Sequence, residues 1–125
     1  MMLKRSTSQW RWAAAIPSMV TLLAAVVSWP AGATVVGDYT LRNITEMFTY
    51  EDYGGGDVVF RVDVPITGCE GGFWLRPTDA GFKGSLATLL LARAARTPVR
   101  VWAHNDQLWS GSAAPTCRLS SLGLN

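Results

Sequence analysis

The stretch that decides the fold is Cys69–Cys117, CEGGFWLRPTDAGFKGSLATLLLARAARTPVRVWAHNDQLWSGSAAPTC. At its centre, residues 79–96 carry the pattern of an amphipathic helix. Phe82, Leu86, Leu89, Leu90 and Arg93 follow one helical stripe, widened by Ala87, Leu91, Ala94 and Ala95. Thr78 or Asp79 is suited to cap its start, and Arg93 and Arg96 suit the negative end of its dipole. Thr97-Pro98 predicts the stop, because proline brings no amide hydrogen and disfavours a helical residue before it.

Outward from the helix the pattern turns to strands. Upstream, Phe73-Trp74-Leu75 is a short apolar strand. Before it, Val58, Phe60, Val62 and Val64 alternate with Val59, Arg61 and Asp63, which predicts a half-buried antiparallel strand over Asp57–Val64. Residues 39–50 are rich in β-branched and aromatic side chains and read as its hairpin partner, joined through Asp52-Tyr53-Gly54-Gly55-Gly56. Thr34–Gly37 reads as a loose lead-in. Downstream, Val99, Val101 and Ala103 alternate with Arg100, Trp102 and His104 as a strand. Asn105-Asp106 suits a turn, and Gln107–Trp109 a brief return strand. The last strand, over residues 116–124, changes parity between Leu119 and Leu122, which predicts a bulge near Ser120-Ser121. The expected fold is mainly β with one helix: a small five-stranded OB-fold-like barrel, with the helix after the third strand.

Residues 1–33 read as a cleaved signal peptide. Lys4, Arg5 and Arg11 form a basic start, residues 13–27 an apolar run, and Ala31-Gly32-Ala33 a cleavage site. A membrane helix needs about 20 apolar residues, and Pro17 and Ser18 interrupt a shorter run here. No membrane span is therefore expected, and residues 34–125 form one secreted or periplasmic domain. The whole chain has 11 basic and 9 acidic residues, but three of the basic ones leave with the signal and no acidic one does. The remainder is close to neutral with scattered arginines, which argues against nucleic acid as a partner. Cys69 and Cys117 are its only cysteines, and an oxidising compartment makes them a disulfide.

Catalytic patterns are weak. His104 and Asp106 with Ser110 or Ser112 invite comparison with a hydrolase, yet proximity in sequence supplies no triad geometry and there is no G-x-S-x-G elbow. Glu51, Asp52 and Asp57 lack the spacing of a calcium loop. Two distant cysteines and one histidine make a poor metal set. No enzyme activity, cofactor or metal is expected. The aromatic residues point instead to binding. Trp102 has the parity opposite to the core positions, Trp109 adjoins a polar loop, and tyrosines lie in or near the first hairpin. Flat apolar rings beside Asp, Asn, Gln and Ser suit a carbohydrate.

The run GFKGSLATLLLARAARTPVRVWAHNDQLW, with a cysteine before the helix and another on the last strand, resembles the B subunits of bacterial one-A-five-B toxins, in the subtilase-cytotoxin and pertussis-like branch. The resemblance covers roughly residues 39–124. It implies an OB-fold homopentamer without catalytic activity that binds cell-surface glycans and accompanies a toxic A subunit. With the aromatic pattern, it designates Asp38, Tyr39, Thr40, Trp102, Asp106 and Trp109 as the glycan-binding set. The chain has Ala103 where the family carries a second aromatic, and threonine near position 40 where it carries serine. The competing expectation is a monomeric secreted or periplasmic interaction or inhibitor module that uses the 105–115 loop.

Overall fold

The computed structural model describes residues 34–125. The expected signal peptide, residues 1–33, lies outside the described residues. The chain forms β1 (Val35–Gly37), β2 (Ile44–Thr49), β3 (Val58–Val62), β4 (Gly72–Leu75), α1 (Phe82–Ala95), β5 (Val99–Leu108) and β6 (Thr116–Leu124). The six strands make one sheet in the order β1-β5-β6-β4-β3-β2. Every pairing is antiparallel except β4 with β6, which runs parallel from Gly72↔Thr116 to Trp74↔Arg118. The fold is therefore mainly β with one helix, as expected, but with six strands rather than five. The named strands form an open sheet.

The additional strand is the supposed lead-in. Val35, Val36 and Gly37 pair with His104, Ala103 and Trp102, so two β-branched residues cover what would otherwise be the free edge of β5. A second correction concerns Asn105-Asp106. It does not turn the chain back; it lies inside one long strand, and the pairing of β5 with β6 jumps from His104↔Arg118 to Leu108↔Cys117. The backbone amide of Asn105 is instead satisfied by the Thr34 carbonyl (3.2 Å). The bulge in β6 falls where parity placed it: Trp102 pairs with Ser121 and Ala103 with Leu119, leaving Ser120 over.

Val99, Val101 and Ala103 are fully buried and pack with Phe60, Phe73, Leu75 and the helix residues Leu89 and Ala92. The Phe60 and Phe73 rings lie 5.2 Å apart. The Cys69–Cys117 disulfide is formed and buried in the same core. β3 departs from simple alternation, because Val58, Val59 and Phe60 are all buried. Val59 packs into a second, smaller cluster with Trp74 and Trp109, so the start of β3 is covered on both faces. Val64 lies beyond the end of β3 and is exposed.

α1 begins three residues later than the pattern suggests. Asp79 does not cap it: Asp79 Oδ2 accepts the Arg76 amide (3.1 Å), and Oδ1 pairs with Arg118. Gly81 stands at the N-cap without a side-chain bond. Only Leu89 and Ala92 are fully buried, with Phe82 and Leu86 partly so. The core stripe is thus narrower than expected, and Leu90 and Leu91 are 53% and 57% exposed. The helix stops before Thr97-Pro98 as predicted, with Arg96 in a left-handed conformation and the Thr97 amide returning to the Ala92 carbonyl (3.0 Å).

Candidate functional site

The β1–β2 connection delivers part of the expected binding set to one place. Gly37 lies directly against the Trp102 indole; a Cβ there would come within 2.6 Å of its Cδ1. This close approach, and a φ of 149°, explain why glycine occupies the position. The chain then turns through Asp38, Tyr39 and Thr40. Asp38 Oδ1 accepts the Thr40 amide (2.9 Å) and Arg42 Nη1 (2.8 Å). The Tyr39 ring, 80% exposed, stands edge-on to Trp102 with centroids 5.5 Å apart and planes at 81°. Arg100 Nε donates to the Tyr39 carbonyl (3.4 Å), and its Nη2 reaches Asn125 (3.2 Å). The result is an aromatic corner flanked by a carboxylate, a threonine and a guanidinium.

The segment is held from beneath by Arg42, whose side chain is only 2% exposed. Its Nη1 also donates to the Thr40 carbonyl (2.9 Å) and its Nε to the Val64 carbonyl (2.8 Å). Its backbone exchanges both hydrogen bonds with Val99, at 2.9 and 2.8 Å. Sequence reasoning missed Arg42 and Arg100. Arg42 occupies an apolar-parity position in an extended segment, and no periodicity marks a buried arginine.

Asp106 and Trp109 do not join this corner. Asp106 is exposed within the irregular part of β5. Trp109, expected as a surface platform, is 7% exposed. Its ring packs against Tyr50 (5.0 Å) and Tyr53 (5.2 Å), and its Nε1 donates to the buried Asp57 carboxylate (2.9 Å). Tyr53 in turn shares a hydrogen bond with Ser110 (2.8 Å). Trp74 is buried as well, with Nε1 donating to the Gln107 carbonyl (3.1 Å) and Arg76 lying 5.2 Å over its ring. The end of β5 and the loop that follows it are thereby anchored at Gln107, Trp109 and Ser110.

His104 lines a cavity of about 240 Å³ with Asp79, Ser85, Arg118 and Ser120, whereas Asp106 and Ser110 are not in its wall. Asp57 is engaged beneath the glycine turn rather than gathered with Glu51 and Asp52. Among the described residues no group of three His, Cys, Asp or Glu is placed to hold a metal ion. None of the helices among them is long and apolar enough to cross a membrane.

Three carboxyls have lowered pKa values. The Arg42 guanidinium, followed by the Thr40 amide, holds Asp38 well below the usual range. The Asn43 side chain and then its amide lower Asp63, and the Gly68 amide lowers Glu70. In each case folding favours the ionised form, so the unfolded chain binds protons at a higher pH than the folded one. Their contribution is fully present above the unfolded pKa, about 4, and is lost as pH falls through the folded values. The urea midpoint is expected to stay level from neutrality to about pH 5 and then decline. Asp38→Asn should flatten part of that decline, and a midpoint as high at pH 2 as at pH 7 would contradict the assignment.

No family model, curated protein or solved structure matches the chain.

Proposed function

We propose that this chain is an exported, non-catalytic binding subunit with an OB-fold-like barrel, which assembles into a homopentamer and holds cell-surface carbohydrate against the Tyr39–Trp102 corner. The observation that carries the reading is the exposed Tyr39 ring braced on Trp102, with Asp38, Thr40 and Arg100 around it. A pyranose offers an apolar C–H face to stack on such a ring and hydroxyls to pair with the surrounding polar groups. The barrel reading is supported by the parallel β4–β6 pair and by the Arg42–Val99 bridge, which ties the arm before β2 to the start of β5. Oligomerisation is supported by the outer side of α1, where Ala87, Leu90, Leu91, Ala94 and Ala95 are exposed without a covering element. The toxic A subunit and the secreted or periplasmic location belong to the same reading; they follow from the toxin-like resemblance and the signal-like start.

Tyr39→Ala removes an exposed ring and should leave stability within about 0.5 kcal/mol. It should weaken binding of a glycan found by array screening by about tenfold or more. The native mass of the oxidised protein should be five times that of the protomer. An array with no glycan bound by the wild type would sink the carbohydrate reading. A protomer mass, with recovery of one protein partner, would shift the choice to a monomeric interaction module.

A further inference from the structure

Two arginines stand out because no hydrogen bond or ion pair among the described residues uses their side chains. Arg42, Arg61, Arg76, Arg100 and Arg118 each hold a carboxylate, carbonyl or amide oxygen. Among the described residues Arg93 and Arg96 have no such partner, and both are exposed. They line a single cavity of about 300 Å³ with Asn43, Ile44, Ala92 and Thr97. Ile44 and Ala92 are buried, so the wall combines two apolar residues with two exposed arginines.

The backbone adds a second, independent sign. Arg96 is the one non-glycine residue with positive φ among the described residues, at φ 53° and ψ 36°. Glycine, or sometimes asparagine, ordinarily closes a helix in this conformation, because a Cβ crowds the neighbouring carbonyl oxygen. Neither of the usual services to a helix end requires an arginine here. Arg93, in the last turn, already supplies a cation to the dipole. The Arg96 amide makes its bond to the Ala92 carbonyl with any side chain. Strained backbone positions concentrate where a site needs the residue.

We propose that Arg93 and Arg96 form an oxyanion site that holds a phosphate or sulfate group at the C-terminal end of α1. A guanidinium presents a planar fork of N–H donors that matches two oxygens of a tetrahedral anion, and two of them outweigh the partial negative charge at this helix end. The Thr97 hydroxyl supplies a further donor at the cavity wall. The Asn43 amide is already committed to Asp63 (2.8 Å) and is not counted. Neither arginine belongs to the Tyr39–Trp102 corner, so the proposal stands apart from carbohydrate binding there.

The test is an NMR titration of the oxidised protein with sodium phosphate and then sodium sulfate, with ionic strength held constant by chloride. Saturable shifts are expected at Arg93, Arg96 and Thr97. Arg96→Gly and Arg93→Gln should each weaken the affinity by about tenfold or more. Arg96→Gly should also melt at a higher temperature than the wild type, which separates lost binding from lost folding. Co-sedimentation with phosphatidylcholine vesicles containing phosphatidylglycerol distinguishes the sources of the group. Sedimentation that Arg96→Gly abolishes identifies a lipid headgroup, and phosphate binding without sedimentation identifies a free anion. Absence of a saturable shift, or shifts that both variants retain, would overturn the proposal.

Discussion

Replacing Cys69 and Cys117 together by alanine is expected to lower the unfolding free energy by about 4 kcal/mol. The bridge closes a span of 48 residues, and the chain-entropy relation for a loop of that length yields this figure. The span contains β4, α1 and β5 complete, so the unbridged chain gains freedom across half of the domain. Two features make the native side equally sensitive. Both sulfurs are buried in the main core, and Cys117 pairs with Phe73 in the β4–β6 register. A domain of this size commands only about 5–15 kcal/mol in total, so the variant should have a much lower urea midpoint and should populate unfolded chain on mild warming. The comparison is equilibrium urea unfolding of the oxidised wild type against the double alanine variant. A difference below about 1 kcal/mol would mean that the bridge merely decorates a core that is stable without it.

Arg42→Met is expected to cost about 3 kcal/mol and to dismantle the aromatic corner as it does so. The guanidinium donates three hydrogen bonds: to Asp38, to the Thr40 carbonyl and to the Val64 carbonyl. Bonds to a charged donor contribute roughly 1 kcal/mol or more each, and methionine fills much of the volume without replacing them. The Asp38 partner is largely exposed, so its charge stays hydrated and the loss lies in the hydrogen bonds rather than in a stranded buried ion. Without the clamp, Asp38–Thr40 is held against Trp102 only by the Tyr39 ring contact and the long Arg100–Tyr39 hydrogen bond. The measurements are urea unfolding and the near-ultraviolet circular dichroism of the Tyr39–Trp102 pair. A variant that kept both the midpoint and the aromatic signal would show that the segment is held without the Arg42 guanidinium.

The elements legible in the sequence were those governed by periodicity. Alternation placed Val99, Val101 and Ala103 in the core and Trp102 on the other side of β5, and a parity break located the bulge at Ser120. Pro98 located the end of the helix. What escaped was decided by partners distant in sequence. Val35–Gly37 is too short to declare itself a strand and becomes one only because β5 leaves an edge to cover. Asp79 looked like a cap until Arg76 and Arg118 claimed it. Trp109 seemed bound for the surface because a polar loop follows it, but Asp57, 52 residues earlier, gives its indole N–H a buried acceptor. The candidate site divided for the same reason: its 38–40 and 102 portions share the β1–β5 edge, while Asp106 and Trp109 do not.

The place of β6 in the sheet bears on how the chain must be made. Its residues, 116–124, follow the other described strands in synthesis, yet they lie between β5 and β4 and join the β1-β5 half to the β4-β3-β2 half. A ribosome therefore releases two sheet fragments that are linked by no strand pairing except the Arg42–Val99 bridge until residues 116–124 emerge. The early hairpin of β2 and β3 can form alone, but the sheet as a whole cannot close over its core on the growing chain. The complete sheet forms only once residues 116–124 are available to fill its centre.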